Sequence, residues 1–272
     1  MPQNFRMPTH RIAPCYSSHR NVFSHVALLS ALLAVFVFDP LRIAQVAIVD
    51  AKKINRNAAH GHRGLLSVYK PGPFDMVLDR SDEKVLEKGN PVMKQLPGDD
   101  GDELSGKAIC IQDVAAPKKA VWNQILDLDS YKGKVNKLKE CKNYLVKKNL
   151  DGTMRIKTKM VIGVMPGYSY ENYYDHCYSP KDDSVTWSLD YDKTSDFDDV
   201  SGHWHVEEHP KKPGHSRVFY ACDLKFKNSL PGPIMNFLQK TALKQATGWV
   251  KKESESNPEA DIPAQFSPGF AL

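Results

Sequence analysis

Hydrophobic and polar positions between residues 107 and 255 alternate with two periods, and each period predicts a different kind of element. "KAICIQDV" is a short run suited to a strand, and "AAPKKAVWNQILDLDSY" follows it. In the second run Pro117 suits the start of a helix, and Val121, Trp122, Ile125 and Leu126 fall on one helical stripe. "CKNYLVKKN" and "TMRIKTKMVIGV" flank the pair Asp151-Gly152, a strong hairpin signal. In the second arm Arg155, Lys157 and Lys159 alternate with Ile156, Thr158 and Met160, the pattern of a half-buried antiparallel strand. "YSYENYYDHCY", "SVTWSLDY", "GHWHVEE" and "SRVFYACDLKF" continue period two, separated by the turns "SPKDD" and "HPKKPGH". The closing "LPGPIMNFLQKTALKQATGWVKKESE" returns to period 3.6, with Ile234, Leu238, Ala242 and Trp249 on one stripe. The predicted order is strand, helix, about six antiparallel strands and a long helix, which is an α+β domain over 105–255.

The flanks read differently. Residues 1–50 form a targeting segment, a signal peptide or signal anchor. Nothing acidic precedes Asp39, while Arg6, Arg11 and Arg20 precede the apolar run Val26 to Phe38. That run is shorter than the roughly 20 residues a membrane-spanning helix needs. The implied location is the secretory pathway or a membrane-anchored state; a second basic stretch, "AKKINRNAAHGHRG", leaves an organelle (plastid or mitochondrion) as the alternative. Residues 51–104 read as a mostly irregular linker, with one short helix near Ser81 to Lys88, and 256–272 as a tail.

Charge changes the picture only at the leader. The chain has a formal net charge of +5, yet residues 1–63 hold eight Lys or Arg against Asp39 and Asp50. The leader is therefore +6 and the body close to neutral, so nothing asks for a nucleic-acid partner. Motifs for common enzyme chemistries, such as Gly-x-Ser-x-Gly, His-Glu-x-x-His or a Walker loop, do not occur in the sequence. No Cys-x-x-Cys pair occurs among the five cysteines either.

"VAAPKKAVWNQILDLDSYKGKVNKLKEC" resembles the opening of the START-like (helix-grip, SRPBCC) superfamily, and "SLPGPIMNFLQKTALKQATGWVKKESE" is similar to its closing helix. The nearest group is that of polyketide cyclase/dehydrase and coenzyme Q-binding START domains. The resemblance implies a helix-grip fold, a curved antiparallel sheet of about six to seven strands wrapped around the long C-terminal helix, with an apolar cavity between them. It also implies an apolar small-molecule ligand (lipid, sterol or isoprenoid quinone), transient membrane contact and a monomer, with no cofactor. An enzyme of the cyclase/dehydrase kind acting on an aromatic or polyketide-like substrate is the alternative.

Under that fold, alternation assigns the concave wall to Met160, Ile162, Tyr170, Tyr174, Trp187, Leu189, Trp204, Val206 and Tyr220. Ile234, Leu238 and Ala242 of the last helix close it, and the broken loop "NSLPGP" beside that helix is the expected opening. The cluster "SGHWHVEEHP" then reads as a strand rather than a metal site. Trp204 and Val206 take the cavity face, so His203, His205 and Glu207 take a solvated outer face. His176 shares the inward face with Tyr170, Asn172 and Tyr174, and it or a Tyr hydroxyl is the candidate acid or base, although a lone strand His is more often structural. The acidic run Asp190 to Asp199 reads as solvated charge. Cys110 and Cys222 are the pair to bridge in an oxidising compartment, since first and last strands are expected to be neighbours.

Overall fold

Eight antiparallel strands form one sheet in the order β1-β2-β8-β7-β6-β5-β4-β3. The structure is a computed structural model that describes residues 54–95, 108–165, 168–227 and 232–267. The strands are β1 (Val92–Gln95), β2 (Ala108–Val114), β3 (Leu138–Lys148), β4 (Met154–Met165), β5 (Tyr168–Ser179), β6 (Ser184–Leu189), β7 (Phe197–Glu208) and β8 (Ser216–Phe226). Three α-helices accompany them: α1 (Arg80–Glu87), α2 (Lys118–Leu126) and α3 (Gly232–Ser256). The leader, including Val26 to Phe38, lies outside the described residues. Among the described residues no helix is long and apolar enough to cross a membrane.

Local sequence explains the turns. Asp151-Gly152 closes the β3–β4 connection, where Gly152 has φ +84°, a conformation that costs glycine nothing. Asn149 N–H donates to Thr153 O across that turn at 2.8 Å. Register shifts interrupt the β3–β4, β4–β5 and β7–β8 pairs. Such bulges add local bend and twist to a sheet. On one face α3 packs against β2, β8 and α2. Ala120, Val121, Trp122, Ile125 and Leu126 of α2 are buried there, as are Leu243 and Val250 of α3.

The other face holds a correction. The segment read as a linker over 51–104 is irregular from 54 to 79, yet it packs along the sheet as a strap. Tyr69, Leu86 and Val92 are buried against Ile109, Ile111, Phe219 and Ala221, with Phe74, Met76 and Leu78 alongside. Its β1 pairs with β2, which is why the sheet has eight strands and not the six to seven expected. The capping box of Asp79 and Asp82 starts α1, and Glu83 of that helix meets Arg217 of β8 at 2.7 Å. Arg217 also donates to Asp113 of β2 at 2.7 Å, so three elements share one guanidinium.

Sequence reasoning took the acidic run for solvated charge; the structure makes it the anchor of the strap. Asp199 is fully buried and accepts from Leu65 N, Leu66 N and the Tyr191 hydroxyl. Asp196 takes both Arg56 Nη1 and Nη2, at 2.8 and 3.0 Å. The Asp198 carbonyl lies 2.8 Å from His60 Nε2. Asp190 is buried against Lys157 (2.7 Å) and the Tyr144 hydroxyl (2.6 Å). Although burial raises it, the Asp199 carboxyl is held below its ordinary range by the N–H groups of Leu65, Leu66 and Val200 and the Tyr191 hydroxyl.

The tail needs the same correction. Phe266 is 1% exposed within the main core, and the Asp261 carbonyl accepts from Asn123 of α2 at 2.7 Å. The chain after α3 therefore folds back onto the domain.

Candidate functional site: an apolar cavity between sheet and helices

A cavity of about 600 Å³ lies between the inner sheet face, α2, the turn after α2, and α3. β4 contributes Ile156, Met160 and Ile162; β5 contributes Tyr174 and His176; β6 contributes Val185 and Trp187. Phe197, Val200 and Trp204 come from β7, and Tyr220, Cys222 and Leu224 from β8. The opposite wall is Ile125 and Leu126 of α2, Leu128, Tyr131, Lys134, Val135 and Asn136 of the following turn, Leu138 at the start of β3, and Gln245, Ala246, Gly248 and Trp249 of α3. Lys134 is the one charged residue among these, and its Nζ donates to Gln124 Oε1 and Ser130 Oγ at 2.9 and 2.7 Å.

Large aromatics shape the space because one position has no side chain. The Trp187 ring lies across Gly202, where an added Cβ would stand 2.0 Å from it. That close approach lets Trp187 stack on Tyr220 (centroids 5.7 Å), which in turn meets Trp204 at 4.0 Å. Across the cavity Tyr131 meets Trp249 edge-on at 4.8 Å and donates its hydroxyl to Ile125 O at 2.6 Å. Asn136, Gln245 and Gly248 are exposed, so the rim runs between the α2–β3 turn and α3.

Of the residues assigned to the wall from alternation, Met160, Ile162, Tyr174, Trp187, Trp204 and Tyr220 line this cavity. Three others do not. Leu189 and Val206 are packed solid in the core, and Tyr170 stacks on Phe197 and Phe226 at 5.1 and 5.8 Å. The side chains of Ile234, Leu238 and Ala242 lie outside the described residues, as does the "NSLPGP" loop through Pro231. Ile125, Leu126 and Trp249 stood on helical stripes and were legible as inward-facing. Tyr131 and Val135 sit in an aperiodic turn that offered no signal, and Leu138 stands at the very start of β3. Phe197 was hidden inside the acidic run and Val200 directly behind it.

Burial favours the neutral forms of His176, Cys222 and Tyr174 in the cavity wall. Burial lowers His176 to about 4 and raises Cys222 to about 12 and Tyr174 well above its ordinary value. Cys110, Cys141, Cys177 and Cys222 are free thiols. β2 and β8 are neighbours, yet Cys110 Sγ meets Thr247 Oγ1 of α3 at 3.2 Å and makes no bridge to Cys222.

The histidine cluster on β7 points away from the cavity, but its face is not solvated. His203 and His205 are 2% and 5% exposed, because the strap covers them. Phe74 stacks on His203 at 4.5 Å and Tyr69 lies 5.9 Å away. Burial, helped by His205, pushes His203 down to about 3. A separate trio, His60, His62 and Asp198, holds its ligand atoms within 4.8 Å of one another. Both imidazoles there already serve the strap. His60 Nδ1 accepts from Ser195 N and His62 Nδ1 from Gly64 N, which leaves each Nε2–H to face Asp198.

No family model matches the chain, and no curated protein matches its sequence. Among solved structures it is similar to a START superfamily protein from Mycobacterium smegmatis, at 18% identity over 62% of this chain and 97% of that one, with a TM-score of 0.44. The STAR-related lipid transfer protein from Xanthomonas axonopodis gives 10% identity, 55% and 85% coverage and a TM-score of 0.45. The Zhui aromatase/cyclase from Streptomyces sp. R1128 gives 13%, 60% and 94%, and 0.43. At those scores the likenesses decide nothing further. The chain's own topology carries the START-like, helix-grip description: strand, helix, six antiparallel strands and a C-terminal helix laid on the sheet over a cavity.

Proposed function

We propose that the protein binds an apolar small molecule, of the lipid, sterol or isoprenoid quinone class, in this cavity and carries or shields it. The observation that supports the reading is the cavity itself. Its volume falls within the few hundred to one thousand Å³ typical of small-molecule sites, and its wall is mostly aliphatic and aromatic. Carboxylates are missing from the lining among the described residues. The basic, apolar leader fits delivery to a membrane surface, where such a ligand would be exchanged. The alternative, a cyclase or dehydrase acting on an aromatic or polyketide-like substrate, has one residue in its favour: His176 lines the cavity, although burial makes it a weak base.

Protein purified from its own cells should release a stoichiometric apolar compound on solvent extraction, identified by mass spectrometry. Empty protein that also fails to take up any fluorescent apolar probe would overturn the carrier reading. Chemical turnover of an added polyketide-like compound would favour the enzyme.

A further inference from the structure

Two polar atoms of the cavity wall have no hydrogen-bond partner among the described residues. His176 is 6% exposed and lies on the inward face of β5. Its Nδ1 stands 3.2 Å from the Ile156 carbonyl oxygen, which can only accept, so Nδ1 carries the proton. The other nitrogen, Nε2, is then a lone-pair acceptor. No described residue donates to it, and the side chain forms part of the cavity wall. Tyr174 and Trp187 flank the ring at 5.9 Å each, which fixes where that acceptor sits. The Tyr174 hydroxyl, two residues away on the same inward face, is likewise without a hydrogen-bond partner among the described residues, and Tyr174 also lines the cavity. Lys134, the charged lining residue, is already engaged by Gln124 and Ser130.

An acceptor that faces a cavity is costly to leave unpaired once an apolar ligand covers it, and a site built to receive a hydroxyl rejects analogues that lack one. Resting on the carrier reading above, we propose that the ligand is not a plain hydrocarbon but an apolar alcohol or phenol, whose O–H donates to His176 Nε2 inside the cavity. The ligand oxygen keeps its lone pairs for a donor such as the Tyr174 hydroxyl. A ketone, ether or ester end offers only acceptors and leaves His176 unpaired.

Three fluorescent probes of one shape test this on the full chain after extraction of bound lipid: 1-hydroxypyrene, 1-methoxypyrene and pyrene. An Ala246→Trp variant serves as the blocked-cavity control. Hydroxypyrene should bind on the order of tenfold tighter than either of the others, the worth of about one buried hydrogen bond. His176→Phe should bring all three to the same affinity. Equal binding of the hydroxy and methoxy probes overturns the inference and leaves the carrier reading standing, as does a preference that survives His176→Phe. If none of the three enters the wild-type cavity, the carrier reading falls and this inference with it. Should His176→Phe fail to fold, the wild-type ladder still decides. The ¹⁵N resonance of His176 Nε2 then gives the second measurement, and it should move with the hydroxy probe alone.

Discussion

The two faces of the sheet begin from similar material and end differently. Each carries aromatic rings and histidines on alternating positions: Trp204, Tyr220 and His176 inside, His203, His205 and Phe219 outside. Outside, the strap of residues 55–95 lays Tyr69 and Phe74 directly on His203 and ties itself to the acidic run, so the face is largely covered and only a smaller recess of about 300 Å³ is left beside Phe74, Met76 and His205. Inside, α2 and α3 cross the sheet and stand off it, and about 600 Å³ stays open. A strand's alternation states which face a side chain takes. What covers that face, and how closely, depends on chain that is distant in sequence.

The sharpest way to break the contrast is to unpin the outer face. Asp199→Ala leaves the N–H groups of Leu65, Leu66 and Val200 and the Tyr191 hydroxyl without their acceptor. Removing one partner of such a buried network should cost about 3 kcal/mol. Chemical denaturation measures it, and limited proteolysis should nick the strap near residue 65. In the wild type the resistant core should begin near Asn55. A core beginning near 105 would mean that the strap is not held.

On the inner face, Gly202→Ala should cost about 1–3 kcal/mol by overpacking, because Trp187 already fills the space of the new methyl. The same change should weaken probe binding, since the displaced ring has the cavity to move into. Unchanged stability and binding would show that Trp187 does not lie where the structure puts it.

Acid should act in two steps, first on the buried histidines of both faces and then on the buried carboxylates. His203 and His176 are held neutral in the fold, at about 3 and about 4, below the ordinary value near 6.5. Between those values the unfolded chain binds more protons, so stability should fall as pH drops below about 6.5. Asp199 and Asp190 are held below the ordinary carboxylate range, so they contribute stability above about pH 4 that is lost as pH falls through their lower folded values. A pH series of unfolding midpoints should show both phases, and His203→Gln should flatten the upper one. A profile flat from pH 7 to 5 would contradict the buried neutral histidines.

The smallest effect on stability belongs to Ala246→Trp. Its side chain lines the cavity, so the ring enters open space and the unfolding free energy should change by less than about 0.5 kcal/mol. Binding of an apolar probe should be abolished. A marked loss of stability would mean the inner face is as solidly packed as the outer one.

Much of the inner face was legible because its signals are local and periodic. Trp204 and Val206 opposite His203 and His205, the Asp151-Gly152 turn, and the stripe of α2 follow from periods of 2 and 3.6 alone. The errors fell where burial is conferred by partners that show no period. Leu189 and Val206 have the right parity for the cavity but are buried in the main core outside its lining. The run Asp190 to Asp199 looked solvated because its partners, Arg56, His60 and the amides of Leu65 and Leu66, lie more than a hundred residues away. Phe266 looked like tail for the same reason.

The sequence by itself determined the order of elements, the parity of each strand and the aromatic character of the inward side. Local sterics and the periods of helix and strand suffice for those. Only the tertiary structure decided that an irregular, polar segment rich in Gly and Pro would cover most of the outer face, and that the inner face would hold the larger, apolar cavity. Both outcomes depend on long-range hydrogen bonds and on one close approach, Trp187 over Gly202. Neither leaves a period in the chain.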